Sequence, residues 1–150
     1  MKLFILRHGE AERLNSTDRQ RQLTDYGREQ VRAVVTRNLD DLKFVDSIWV
    51  SPYVRARQTA AVVAKSLPEI IQTTVDVLTP DSSAAEVIRF LCARNSDSTL
   101  LLVSHQPLVS ELIAELCELP RHSISMPTAA LASISIDPVG KGCGQLNFID

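Results

Sequence analysis

Two histidines, each separated by one residue from the end of an apolar run, are the residues in this chain best placed to do chemistry. Arg7-His8-Gly9-Glu10 follows Leu3-Phe4-Ile5-Leu6, and Ser104-His105-Gln106-Pro107 follows Leu100-Leu101-Leu102-Val103. Between them, Ser51-Pro52-Tyr53-Val54-Arg55-Ala56-Arg57-Gln58-Thr59 follows a shorter apolar run, Ile48-Trp49-Val50, and has the composition of a helix start. In an open α/β sheet, ligands bind beyond the carboxyl ends of the strands. If the three runs are neighbouring strands, Arg7, His8, Arg55 and His105 converge on one pocket. Guanidinium forks grip the oxygens of a tetrahedral phosphoryl group bidentately, and helix N-termini add backbone donors. A neutral imidazole is also a competent nucleophile at phosphorus, so one histidine can take the phosphoryl group covalently while the other stabilises the developing charge.

Each residue taken singly has a blander use. A histidine at a strand end is more often a hydrogen-bonded core or surface group than a catalyst. The weight lies in two such histidines behind two buried strands with an arginine-rich helix start between them, because three placements then need one explanation. Gly9 relieves backbone crowding after the strand and can also let the chain turn so that His8 faces a ligand. Glu10 and Glu12 read as solvated loop charges that could serve as acids near the site, and Asp18, Arg19 and Arg21 read as a solvated rim. Arg57 stands two positions from Arg55, about 200° away on a helix, and reads as a surface charge. His122 has no comparable context and reads as a surface residue.

The elements that must position these groups alternate between short apolar runs and helical periodicity, the pattern of strand-helix-strand units. Leu3–Leu6 and Leu100–Val103 have no polar face and read as central strands, with Ile48–Val50 as another. Thr24 is a candidate N-cap for a helix carrying Val31, Val34, Val35 and Leu39 on one face. Val54 to Leu67 has helical composition, and Thr73 to Leu78 reads as a peripheral strand. Ser83-Ala84-Ala85-Glu86 is a capping box ahead of Val87, Ile88, Leu91 and Cys92. A helix beginning near Pro107 buries Leu108, Leu112, Ile113 and Leu116. Leu131 to Ile136 and Gln145 to Phe148 read as a closing, antiparallel pair of strands. The expected architecture is a three-layer α/β/α sandwich with a mostly parallel central sheet and one antiparallel edge strand, in a single domain over residues 1–150.

Composition narrows the class of partner. With 16 Lys+Arg against 18 Asp+Glu in 150 residues, and the signs interspersed, nothing global draws the chain to nucleic acid or an anionic membrane. Cys92, Cys117 and Cys143 show neither a CxxC nor a Cys/His cluster, so free thiols in a reducing compartment are expected, without a metal site. No window approaches the ~18 apolar residues of a membrane span, and the start lacks a charged and apolar leader. A cytoplasmic protein is expected, a monomer in the absence of heptads.

Leu6-Arg7-His8-Gly9-Glu10, Leu23-Thr24-Asp25-Tyr26-Gly27, the Ser51 to Thr59 segment and Val103-Ser104-His105-Gln106-Pro107, in that order, resemble the motifs of the histidine phosphatase superfamily, the group that includes the phosphoglycerate mutases. The short length and the run Leu78-Thr79-Pro80 look most like its SixA-type phosphohistidine phosphatases. The resemblance implies that His8 is the nucleophile, that Arg7 and Arg55 hold the phosphoryl oxygens, and that His105 donates to the transferring group. It implies that Arg21 can also reach the phosphate; Gly9 and Ser104, which adjoin the two histidines, are expected with it among the substrate-binding residues. Here Arg21-Gln22-Leu23-Thr24 stands where the SixA type usually has Arg-Pro-Leu-Thr.

Larger superfamily members that act on phosphate esters carry an insertion after the third strand that supplies an acid and part of a lid. Only Thr79-Pro80-Asp81-Ser82 separates that strand from the next helix here. An alkoxide leaving group needs a proton donor, whereas imidazole, with a pKa of about 6.5, is readily protonated and leaves easily. The expected reaction is therefore metal-free and cofactor-free hydrolysis of phosphohistidine on a protein, through phospho-His8. A histidine-phosphotransfer domain or a phosphocarrier is the expected partner, its own surface covering the open site. The alternatives are a small-molecule phosphomonoesterase or mutase using Glu10, Glu12 or Asp81 as acid, and a non-catalytic module that binds a phosphorylated ligand. Asp81→Asn separates the first alternative and His8→Ala the second.

Overall fold

The computed structural model describes residues 1–13, 17–67, 69–93 and 98–150. Residues 14–16 of the polar stretch before Thr24 lie outside the described residues. Six strands form one sheet: β1 (Lys2–Arg7), β2 (Ser47–Val50), β3 (Ile71–Thr74), β4 (Thr99–Ser104), β5 (Leu131–Ile136) and β6 (Gly144–Ile149). Their order across the sheet is β3-β2-β4-β1-β5-β6. The first four are mutually parallel, while β5 runs antiparallel to both β1 and β6. The closing pair is thus antiparallel, and the reversed strand stands one place in from the edge.

The helices are α1 (Asp25–Arg37), α2 (Leu39–Leu42), α3 (Val54–Ala64), α4 (Ala84–Leu91) and α5 (Leu108–Leu116). Because strand side chains alternate in direction, the sheet feeds two cores. Leu3, Ile5, Leu100, Leu102, Ala132 and Ile134 pack with the apolar faces of α4 and α5. Phe4, Leu6, Ile48, Val50, Leu101 and Val103 pack with α1 and α3 on the other side. The result is the three-layer α/β/α arrangement. Among the described residues no helix is long and apolar enough to cross a membrane.

Local capping follows the sequence closely. The Thr24 side chain accepts from Gly27 N–H at the start of α1, and Ser83 and Glu86 satisfy each other at the start of α4. Three expectations shift. Leu39 leaves the α1 face: the helix stops at Arg37, and in the short α2 it is Leu42 that enters the core while Leu39 stays exposed. The peripheral strand is Ile71–Thr74, because its partner β2 ends at Val50 opposite Thr74. The chain then turns through a 3-10 helix at Asp76–Leu78 that drops Leu78 into the core. Pro107 is the N-cap of α5 rather than its first residue, after a cis Gln106–Pro107 bond.

Candidate active site

The parallel strands deliver the site. β1 and β4 are in register with Arg7 opposite Ser104, and β4 and β2 with Val103 opposite Val50. His8, Ser51 and His105, the residues just beyond these pairs, therefore emerge side by side. Two hydrogen bonds fix the level: His8 N–H donates to Ser104 O at 3.0 Å and Ser51 N–H to Val103 O at 3.1 Å. From the first turn of α3, Arg55 reaches the same place, buried to 4% exposure. Arg7, His8, Glu10, Ala11, Asp18, Arg21, Arg55, Pro80, His105, Gln106 and Thr128 line a cleft of about 450 Å³.

His8 is 7% exposed, and its Nδ1 lies 2.7 Å from the Gly9 carbonyl oxygen. A carbonyl can only accept, so Nδ1 carries the proton and Nε2 keeps a lone pair. Arg55 Nε–H donates to that lone pair at 3.1 Å. Burial, offset in part by the Gly9 bond and reinforced by the charges of Arg55, Arg7 and Arg21, lowers the His8 pKa from 6.5 to about 4. A neutral imidazole with an in-plane lone pair among guanidinium groups is the protonation state that nucleophilic attack on phosphorus requires.

Arg55 is held from outside. Its Nη1 donates to Asp18 O at 2.6 Å and its Nη2 to Asp18 Oδ2 at 3.0 Å. Arg21 Nη1 donates to the other carboxylate oxygen of Asp18 at 2.9 Å, and Arg21 Nε to Glu12 O at 2.7 Å. One carboxylate thus clamps two guanidiniums. Burial pushes the Asp18 carboxyl up, but the bonds to Arg21 and Arg55 outweigh it and hold the pKa below the ordinary value. The Tyr53 ring lies under the Arg55 guanidinium at 5.0 Å and meets the His105 ring edge-on at 5.0 Å. Arg7 Nη1 donates to Met126 O at 2.9 Å, a carbonyl that also accepts from Gln106.

His105 is 1% exposed, 5.0 Å ring to ring from His8, with Nε2 at 2.7 Å from Ser51 Oγ. Burial first, then repulsion from His8, which is itself protonated by the time the pH has fallen that far, and from the Arg55 guanidinium, push its pKa down to about 2. Among the described residues, Arg7 Nε and His105 Nδ1 are the buried side-chain nitrogens without a hydrogen-bond partner.

The cleft therefore brings together Arg7, His8, Arg55, His105 and Arg21. Two further residues of interest lie elsewhere. Ser104 shares the strand face of Leu102 and donates to Leu78 O at 2.8 Å, away from the cleft. Gly9 gives its N–H to Thr59 Oγ1 at 3.3 Å, and a Cβ there would run into the backbone of Gly27. Its role is close passage of β1's exit over the first turn of α1. Glu10 lines the cleft but is exposed and accepts from the Thr24 hydroxyl, and Asp81 is exposed and outside the lining. Asp18 was legible only as a rim charge, since its contact with Arg55 spans 37 residues of sequence. Ser51 and Gln58, whose Oε1 accepts from Leu23 N–H at 2.7 Å, carried no signal beyond their place in the arginine-rich segment. Among the described residues no group of three His, Cys, Asp or Glu is disposed to hold a metal ion.

The chain belongs to the histidine phosphatase superfamily: the pattern of its branch 1 matches residues 3–77. Within it the chain groups with the SixA type. It is 35% identical over 147 residues to the phosphohistidine phosphatase SixA homolog of Haemophilus influenzae, spanning 91% of this chain and 89% of that protein. It is 33% identical over 147 residues to phosphohistidine phosphatase SixA of Escherichia coli, spanning 95% and 89%. The structure of the protein histidine phosphatase SixA complexed with tungstate superposes with a TM-score of 0.89 at 32% identity, over 99% of this chain and 96% of that one.

Proposed function

We propose that this chain hydrolyses phosphohistidine on a protein through a covalent phospho-His8 intermediate. The observation that carries the reading is the pair of unpartnered buried nitrogens, Arg7 Nε and His105 Nδ1, on two cleft-lining residues beside the His8 lone pair. A buried donor without an acceptor costs about 1–3 kcal/mol, and an entering phosphoryl group supplies acceptor oxygens in that place. The names of the SixA relatives and the tungstate bound in one of them, an oxyanion of phosphate's shape, support the same substrate class.

The reaction follows from the protonation states. The Nε2 lone pair of His8 attacks phosphorus, the substrate's N–P bond breaks, and its electron pair returns to the departing imidazole, which takes up a proton. The His8 ring, now carrying phosphorus on Nε2 and a proton on Nδ1, becomes positive. The Gly9 carbonyl stabilises that charge through the Nδ1–H bond. Arg55 gives up its bond to Nε2 as the lone pair is consumed, and its Nε–H turns to the phosphoryl oxygens, beside Arg7 and His105. Water then attacks phosphorus, the second N–P bond breaks, and its electron pair returns to Nε2 as phosphate departs. One N–P bond is exchanged for a similar one in the first step, so a strong general acid is not needed. Asp18, kept ionised by two guanidiniums, is unsuited to be one. A protein substrate, such as a histidine-phosphotransfer domain or a phosphocarrier, suits a site whose loop from Thr79 to Ser82 is too short to enclose a small metabolite.

The test is phosphate release from a phosphohistidine-bearing protein and from an aryl phosphomonoester, in excess chelator, with wild type and His8→Ala in parallel. Chelator-resistant release from phosphohistidine that vanishes in His8→Ala is expected. Preference for the ester would overturn the substrate class, and binding without turnover of either would reduce the chain to a phospho-ligand module.

A further inference from the structure

We infer that Ser51 is a positioning residue: its hydroxyl donates to His105 Nε2 and so locks His105 in the tautomer that carries its proton on Nδ1, the nitrogen that donates to the transferring phosphoryl group. The inference rests on the phosphoryl-transfer reading of the cleft and adds the residue that sets the sense of one of its hydrogen bonds.

The argument is a count of protons. Ser51 Oγ has one hydrogen to give, and its side chain is fully buried at the end of β2. The contacts of that oxygen are two: Tyr53 N–H, which can only donate to it, at 3.4 Å, and His105 Nε2 at 2.7 Å. The described residues offer the hydroxyl proton no acceptor except Nε2. If Nε2 instead carried the proton and donated to Ser51, the oxygen would receive two donors, and its own hydrogen would be buried without an acceptor. That arrangement would also turn a bare Nδ1 lone pair on a cleft-lining ring toward the negative oxygens of the ligand. With Ser51 as donor, Oγ accepts from Tyr53 and donates to His105, Nδ1 keeps its hydrogen, and that N–H is the buried nitrogen left without a partner. Burial disfavours the imidazolium form, so the ring is neutral and the choice lies between its two tautomers.

The two histidines then hold the same tautomer for opposite purposes. Gly9 O takes the Nδ1–H of His8 and frees Nε2 to attack. Ser51 takes the Nε2 lone pair of His105 and frees Nδ1–H to donate. The carbonyl can only accept, and the hydroxyl, whose proton finds no other acceptor among the described residues, donates, so the group beside each ring dictates which end works. The Tyr53 ring, edge-on to His105, closes the other side and leaves little room for a ring flip.

The tautomer is read directly from 15N-labelled protein at neutral pH by long-range 1H–15N correlation of the imidazoles, His105 being assigned from a His105→Gln variant. Wild type is expected to show a protonated Nδ1 and a bare Nε2 in His105, and saturating tungstate is expected to shift the Nδ1–H resonance and slow its exchange with water. Ser51→Ala is expected to give the other tautomer or a mixture, with kcat on phosphohistidine reduced roughly 10- to 100-fold and KM changed less than about threefold. A protonated Nε2 in wild type overturns the inference, as does a Ser51→Ala enzyme that keeps both its tautomer and its kcat, or an Nδ1–H that tungstate leaves unmoved. The wild-type spectrum decides even if Ser51→Ala does not fold. It also separates the two proposals, because a correct tautomer in a protein that turns over no phosphohistidine would sink the function and leave the role of Ser51 standing.

Discussion

Lowering the pH from about 7.5 to about 5 should weaken this fold through His8. The ring is buried and neutral in the folded chain, with its pKa lowered from 6.5 to about 4. The sign follows from proton counting. At about pH 5 an unfolded histidine is about 97% protonated, the folded one about 9%, so the unfolded state binds more protons and gains from acid. The difference, RT ln[(1+10^1.5)/(1+10^−1)], is about 2 kcal/mol, nearly all of it absent at about pH 7.5. The loss develops between the unfolded and folded values and is complete below the latter. His105, lowered for the same first reason, burial, acts in the same direction. Asp18 acts elsewhere: its lowered pKa contributes stability that disappears only as acid falls through the carboxylate range. The window is therefore a histidine window.

The assay is chemical denaturation at the two pH values for wild type and His8→Asn, beside an NMR titration of the His8 imidazole. Wild type should lose at least about 2 kcal/mol of unfolding free energy on acidification, and His8→Asn should lose correspondingly less. A His8 ring that titrates near its ordinary value in the folded protein, or an unfolding free energy equal at both pH values, would refute the reasoning. It would also remove the argument that the nucleophile is kept neutral by its surroundings.

Further expectations follow from named contacts. Asp18→Asn removes the charge that clamps Arg55 and Arg21 and should lower kcat/KM on phosphohistidine roughly tenfold. Inorganic phosphate should inhibit that variant at least as well as wild type, since a negative charge has left the cleft; an unchanged kcat/KM would show that Arg55 is held by its other neighbours. Gly27→Ala places a Cβ against the backbone nitrogen and carbonyl of Glu10, so the start of α1 must move off the loop after His8. A destabilisation of about 2 kcal/mol, roughly 4–8 °C in Tm, is expected by thermal unfolding, and an unchanged Tm would contradict the close packing. Tungstate should raise the Tm of wild type, and Arg55→Ala should abolish the rise; a shift that survives the substitution would place the oxyanion elsewhere.

How far the sequence could be read depends on whether a feature is decided locally. Capping is local, so Thr24, Ser83 and Glu86 were readable from three-residue spacings and do in the structure what their types favour. The central strands were readable because Leu3–Leu6 and Leu100–Val103 leave no polar face, and once two such strands are parallel neighbours their exits must lie together. The expected span Thr73 to Leu78 starts two residues late and ends four late against β3, because the limit of β3 is set by the end of β2, a pairing partner over twenty residues away, and its own side chains, all exposed, leave no periodic trace. The same reasoning sorts the site. His8, Arg7 and His105 sit where a strand stops, a position that composition marks. Asp18 matters because the loop after His8 folds back onto α3, and nothing in Asp18-Arg19-Gln20-Arg21 distinguishes a carboxylate that bridges two arginines from one that faces water. Ser51 is the extreme case: it differs from any serine after a strand only in having no solvent, one backbone donor and one imidazole nitrogen around its hydroxyl. Residues that touch the phosphoryl group can be recognised by type, whereas those that decide how they touch it are recognisable only once every proton in the cleft has been given a place to go.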